Sequence, residues 1–262
     1  MTLQKILSKF QKLHSREIDL SLDRIRLLMS ELGNPQDKIK CVQVCGSNGK
    51  GSTISFLRSI LKEANYKCNV YTSPHIININ ERFVYNDEVI GDDDLANLLS
   101  EVHEVNNGKP LTYFEALTAG FFLGCMKYQD NIVLAEFGLF GRGDAVNILK
   151  KNLANCITSI SHDHLDWLPE NDRTIERIIY EKTSSLLNSN IIVAKQSSKK
   201  ITECIKKNIS NNSANKIFHG EDYSFVLKEN DFFFYEDQYG SLKVPKPNIK
   251  GDFQLENAST AI

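Results

Sequence analysis

The residues with the most chemical capability sit in one short run, Val42-Gln43-Val44-Cys45-Gly46-Ser47-Asn48-Gly49-Lys50-Gly51-Ser52-Thr53. The apolar residues before the glycines read as a buried parallel strand, and a helix is expected from Ser52 to about Ala64. Gly46, Gly49 and Gly51 let the backbone turn sharply and point N–H groups into one space. A helix opening behind them adds free N–H groups and the positive end of its dipole. Lys50 can set a full charge on outer phosphates, and Ser52 or Thr53 can offer a hydroxyl to magnesium. Together these make a phosphate cradle. It departs from the standard P-loop, which has four residues between its glycines; here there are only Ser47 and Asn48, and Gly51 separates the lysine from the hydroxyl. The plainer alternative is a glycine-rich strand-to-helix turn with a surface lysine.

Other polar groups follow predicted strands, at the carboxyl end where open α/β sheets bind ligands. Thr72-Ser73-Pro74-His75 follows an expected strand over 67–71. Glu136 closes the apolar run 132–135, a position suited to a metal-directed acid, and a glycine-rich loop over 138–144 comes next. An expected strand over 155–160 runs into Ser161-His162-Asp163-His164-Leu165-Asp166-Trp167. Two histidines and two aspartates in that loop read either as a metal or acid–base group or as surface polar residues.

The supporting elements are legible from periodicity. Residues 1–32 read as two helices, ended by Gly33-Asn34-Pro35. A short hairpin is expected around Asn86-Asp87, a helix from Asp92 to about Asn106, and a buried helix from Thr112 to about Tyr128. Further helices are expected over 174–187 and 198–209, with a strand over 191–194 between them. A small β-meander is expected within about 216–248, and 251–262 open a last helix. Strands alternating with helices predict an α/β fold, a mostly parallel sheet covered on both faces. That sheet would gather the cradle, Ser73, Glu136 and His164 along one edge.

The 262 residues are enough for a large core, and the formal net charge is −2. No basic face suited to nucleic acid is foreseen, nor a membrane span or signal peptide. The six cysteines contain no C-x-x-C pair and mostly sit in apolar contexts, so reduced core cysteines and a cytoplasmic location are expected.

Several runs resemble the dihydrofolate synthase/folylpolyglutamate synthase family of Mur ligases: Gly46 to Ser52, Tyr71 to His75, Asn80-Glu81-Arg82, Leu111 to Glu115, Glu136 to Asn147, Thr158 to Ile160 with Asp163-His164, and Glu181-Lys182. The short cradle is that family's own variant. The resemblance implies a P-loop-like central domain and a reaction in which ATP phosphorylates a carboxylate of dihydropteroate or a folate. The amino group of glutamate then attacks the acyl phosphate. It also implies that Asn48, Gly49, Lys50, Gly51 and Ser52 hold the phosphates of ATP, and that Asn257 reads adenine. Ser73 and Glu136 would hold a first Mg2+ and His164 a second, with Lys182 carbamylated as a further oxygen ligand. Lys50, His164 and Lys182 would be the catalytic set, with Thr112, Tyr113, Phe114, Glu115, Gly143, Asp144 and Ala145 against the pterin substrate. Without the family, Lys182 reads as an exposed helix lysine. Phe140 stands where the family has glycine, Gly143 where it has leucine, Tyr180 and Thr183-Ser184 flank Glu181-Lys182 differently, and Phe253 replaces a histidine.

The implied partners are small molecules only, and the family is usually monomeric. Residues 1–248 are expected to be the ATP-binding domain, and 249–262 to begin a linker helix toward a C-terminal glutamate-ligase domain that this sequence lacks. The chain alone is then expected to bind Mg-ATP weakly and to ligate poorly. The alternatives are a Mur-type ligase on another carboxylate acceptor, a P-loop ATPase without ligase activity, and a binding module that has lost its partner domain.

Overall fold

The computed structural model describes residues 1–14, 19–228 and 231–262. At its centre is β1 (Lys40–Cys45), with β5 (Ile132–Glu136) on one side and β6 (Ala154–Ile157) on the other, all parallel. β2 (Cys68–Tyr71) lies beyond β5; β7 (Asn190–Val193) and β8 (Lys216–Phe218) lie beyond β6. A hairpin of β3 (Phe83–Tyr85) and β4 (Glu88–Val89) adds an antiparallel edge next to β2. Asn86 and Asp87 turn it with φ of 52° and 67°, the left-handed pair that matches strand twist. The order is β4-β3-β2-β5-β1-β6-β7-β8, which is the mostly parallel sheet foreseen.

Both faces of the sheet are apolar and both are covered, as central parallel strands require. Cys41, Cys45, Val133, Ala135 and Ile157 enter the larger core with residues of α1 (Leu3–Phe10), α2 (Asp23–Glu31), α4 (Asp92–Asn106), α5 (Tyr113–Gly124), α6 (Ile175–Thr183) and α7 (Lys199–Asn208). Val44, Val70, Leu134 and Cys156 pack on the other face against Ile54 of α3 (Lys50–Glu63). Outside α3, a meander of β9 (Tyr223–Leu227), β10 (Phe232–Asp237) and β11 (Gly240–Pro245) packs with α8 (Phe253–Ala261) around Phe233, Leu255 and Phe56.

Three boundaries differ from expectation. The strand expected to reach Ile160 ends at Ile157: Thr158 N–H still donates to Cys45 O of β1, but Ser159 O turns to the cradle N–H groups and Ile160 N–H to the Gln196 side chain. The helix expected to reach Leu187 stops at Thr183; Ser184 and Ser185 follow, and such residues compete with the helix for backbone hydrogen bonds. Residues 216–218 are not part of the meander. They pair parallel with β7 as the edge of the large sheet. All six cysteines are free, five of them buried. Among the described residues no helix is long and apolar enough to cross a membrane.

Candidate active site

The carboxyl ends of β1, β2, β5 and β6 meet at one edge of the sheet, and the polar residues singled out above converge there. Gly46 and Gly49 turn the cradle at φ of 139° and 87°. A Cβ on Gly46 would collide with the Thr158 hydroxyl, and one on Gly49 with the Asn257 amide. Only glycine fits at either position. Asn257 comes from α8, donates to Gln254 Oε1 at 3.0 Å, and is held against the cradle. α3 starts at Lys50, and the first intrahelical bond is Thr53 N–H to Gly49 O at 2.9 Å. The earlier N–H groups of that turn therefore lack intrahelical partners, which suits an anion.

The N–H groups of Ser47 and Asn48 are directed elsewhere. Both donate to Ser159 O, at 2.9 and 3.1 Å. The Ser47 hydroxyl donates to Ser161 O and accepts from Ser161 N–H, each at 3.0 Å, and Asn48 Nδ2 donates to Ser161 Oγ at 3.0 Å. The cradle is thus stitched to the loop that carries His164.

Lys50 curls back over its own loop. Nζ donates to Gly46 O at 3.1 Å and Ser47 O at 3.4 Å, and lies 3.8 Å from Glu136 Oε1. Glu136 is 5% exposed, and Ser73 N–H donates to its Oε2 at 3.3 Å. Burial pushes the Glu136 carboxyl up to about 7, against the pull of Lys50 and the Ser73 N–H. A carboxylate so poorly compensated favours one more cation beside it. Among the described residues no three His, Cys, Asp or Glu side chains form a ready metal cluster.

Lys182 overturns the plain reading of an exposed helix lysine, since only 1% of it is exposed. α6 runs beneath the cradle, and Lys182 Nζ donates to the same Gly46 carbonyl at 3.1 Å. It lies 3.0 Å from Asp163 Oδ2. Burial pushes the ammonium pKa down while Asp163 pulls it up. Neighbouring Glu181 accepts two hydrogen bonds from Arg142, both at 3.0 Å, fixing α6 to the 138–144 loop.

His164 adopts φ of 52°, and its Nε2 is 3.8 Å from Asp163 Oδ2. Phe140, also left-handed at φ of 56°, packs its ring edge-on against the imidazole at 5.9 Å. Such a backbone costs a bulky residue about 1–3 kcal/mol. Asp163 was foreseen only as one of four polar candidates in its loop, with no role of its own. Its signal was its place in the polar run after β6, where His162 and Asp166 are now seen to be exposed.

Beside these groups lies a cavity of about 270 Å³, close to the lower end of ligand pockets. Tyr113, Phe114 and Leu139 give it apolar walls, while Ser73, Arg82 and His164 connect it to the cradle side. Thr112, Glu115, Gly143, Asp144 and Ala145 also line it. Two of these residues hold the walls in place. Thr112 and Glu115 cap the start of α5 reciprocally, Thr112 N–H donating to Glu115 Oε2 at 2.7 Å and Glu115 N–H to Thr112 Oγ1 at 3.2 Å. Arg24, unforeseen, donates to Glu115 Oε2 at 3.1 Å.

Asp144 accepts from Leu139 N–H at 2.7 Å and Val146 N–H at 2.8 Å, closing the loop on itself. Burial raises its carboxyl to about 6. Asp144→Asn would turn an acceptor into a donor facing one of those N–H groups. The expected cost is about 1–3 kcal/mol, read as a lower urea midpoint with unchanged slope.

Comparison with known proteins supplies the family. A family model for the Mur ligase middle domain matches residues 44–262. The chain belongs to the Mur ligase family. This Mur ligase chain is 34% identical over 263 residues to a dihydrofolate synthase/folylpolyglutamate synthase of Bacillus subtilis, a match covering 92% of the chain and 58% of that relative. It superposes with a TM-score of 0.87 on Escherichia coli FolC in complex with DHPP and ADP, at 30% identity over 100% of this chain and 61% of the other. A Yersinia pestis bifunctional folylpolyglutamate synthase/dihydrofolate synthase with Mn, AMPPNP and L-glutamate bound gives a TM-score of 0.83 at 26% identity, again over 100% and 61%. The Mur ligase chain thus spans about three-fifths of the length of the proteins it matches.

Proposed function

We propose that this chain is the ATP-binding part of a ligase that joins L-glutamate to dihydropteroate, to a (poly)glutamylated tetrahydrofolate, or to both. The observation that carries the reading is the convergence of a phosphate cradle, the buried pair Lys50–Glu136 and an aromatic-walled cavity at one sheet edge. The names and bound ligands of the relatives support it.

A carboxylate is a poor electrophile and needs a leaving group before an amine can displace anything from it. One carboxylate oxygen attacks the γ-phosphorus of ATP, the bond to the β-phosphate oxygen breaks, and ADP leaves. The glutamate amine then attacks the acyl carbon, loses a proton, and phosphate departs, leaving the amide. Gly49, Gly51 and Ser52 hold the phosphates at the start of α3, with Asn48 fixing the loop to Ser161. Lys50 offsets charge on the group in transfer. Asn257 sits where α8 meets the cradle, as an adenine reader would.

Ser73 and Glu136 would hold one magnesium ion and His164 a second, with Lys182 joining the second only as a carbamate, whose oxygen could serve as a ligand. When bound, magnesium supplies positive charge beside the phosphate and acceptor oxygens. Tyr113 and Phe114 offer flat apolar surface to a pterin, and Gly143 and Ala145 let it approach the loop. Lys182 is also the candidate for carbamylation, since burial lowers its pKa and so favours the neutral amine that attacks CO2. Incubation with 13C-bicarbonate should then give a carbamate carbon resonance that is lost in Lys182→Arg. On this reading the protein works as a cytoplasmic monomer, with residues 1–248 forming its ATP-binding domain and 249–262 beginning a linker helix.

The experiment is ATP- and dihydropteroate-dependent incorporation of labelled glutamate, in the protein as its cell makes it, with and without divalent metal. Metal-dependent incorporation is the expected result. ATP hydrolysis without a glutamate product, with tetrahydrofolate also tried as acceptor, would leave a Mur-type ligase on another carboxylate, or an ATPase.

A further inference from the structure

Phe140 and His164 are two of the non-glycine residues with left-handed backbone, and they lie on different loops. Each is the ring partner of the other, at 5.9 Å and 77°. Strained backbone persists where the surroundings enforce it, and it concentrates at functional sites.

The surroundings of Phe140 do enforce it. Leu139 N–H is held by Asp144 at 2.7 Å, Gly141 O accepts from Asn147 Nδ2 at 2.9 Å, and Arg142 N–H donates to Glu181 O at 2.9 Å. A Cβ on Gly141 would come within 2.8 Å of Lys182 O, so the loop cannot shift toward α6. Phe140 is therefore a fixed post, 1% exposed, with His164 against its ring and Lys182 Nζ 5.8 Å from its centroid. His164 is half-exposed at its own position and has little else to orient it. Asp163 Oδ2 at 3.8 Å is beyond hydrogen-bond length.

We propose that Phe140 is a positioning residue of this site. Its ring sets the orientation of the His164 imidazole and closes the apolar side of the Lys182 chamber. The role in turnover rests on the ligase reading above; the orientation of His164 does not.

Phe140→Leu keeps an apolar side chain and removes the ring. The test measures two things on wild type and variant: steady-state glutamate ligation, and the ring-proton resonances of His164, assigned by their loss in His164→Ala. Six histidines keep that spectrum readable. The expected result is a kcat lower by about tenfold to a hundredfold, with the KM for ATP essentially unchanged. The His164 resonances should move toward those of an unstacked imidazole. A purely structural role would instead weaken ATP binding and thermal stability together, and that outcome overturns the proposal. So does a variant with wild-type kcat, or one whose His164 resonances stay in place. If the wild type forms no glutamate product, the ligase reading fails and the resonances alone decide whether Phe140 positions His164. Phe140→Met serves the same comparison should the leucine variant not fold.

Discussion

Lys50→Met is expected to lower the rate of ATP-dependent ligation by about a thousandfold, the upper range for removing one preorganised group that meets charge developing in a transition state. The side chain is not a free surface lysine. Two carbonyls, Gly46 O and Ser47 O, hold its ammonium over the turn, and Glu136 lies 3.8 Å away. An ammonium fixed there needs no reorganisation when charge moves onto the phosphoryl group. Methionine keeps most of the apolar stem and removes the ammonium, with its charge and its two hydrogen bonds. Lys50→Arg should rescue little, because a planar guanidinium cannot take the place of a compact ammonium between two carbonyls. Rapid-quench measurement of ADP formation in a single turnover separates this loss from product release. A variant retaining a tenth of the wild-type rate would remove Lys50 from the transition state.

Lys182→Met is expected to lose stability and activity together, by routes that can be separated. In the uncarbamylated protein, where Lys182 is an ammonium, its removal leaves the paired Asp163 charge uncompensated, which costs about 3–5 kcal/mol. Asp163 is partly exposed, which puts this site at the lower end of that range. Urea unfolding measures the loss. Adding Asp163→Asn removes the orphaned charge and should recover much of the stability. It should not recover ligation, since the bond from Lys182 to Gly46 O, shared with Lys50, stays broken. A double variant that regained turnover would show that Lys182 matters to folding alone.

How much of this was legible depended on how local the determinants are. The cradle is a strand, a glycine turn and a helix start, all within twelve residues, and the structure shows those three parts in order, with the helix opening at Lys50, two residues earlier than read. Glu136 was legible as the acid closing an apolar strand. The burial of Lys182 was not, because nothing within α6 marks it off from a surface lysine; packing beneath Gly46 decides it, and only the family resemblance singled it out. Asp163 could not be told from His162 and Asp166 until the loop was placed. The Arg24 contact to Glu115 joins residues 91 positions apart, beyond any periodicity. β8 is a short apolar run that fits a meander or a sheet edge equally well, and only its parallel partner β7 settles which. Phe140 occupies a left-handed position where propensity argues against it.

The stitching of the cradle also has a consequence for how the protein is made. Ser47 meets Ser161 across 114 positions and Lys182 meets Gly46 across 136, while Asn257 closes on Gly49 from further still along the chain. Such closures carry their entropy cost before any contact rewards them, so they belong to the late stages of folding. A chain still emerging from the ribosome has the glycine turn long before it has the walls around it. A nucleotide that needs those walls is then a ligand of the finished fold alone. At a hundredfold excess over its Kd it would add about 2.7 kcal/mol to the apparent stability of that state. Loosening of α6, of α8 or of the loop after β6 would accordingly register as weaker nucleotide binding, with every residue of the cradle unchanged.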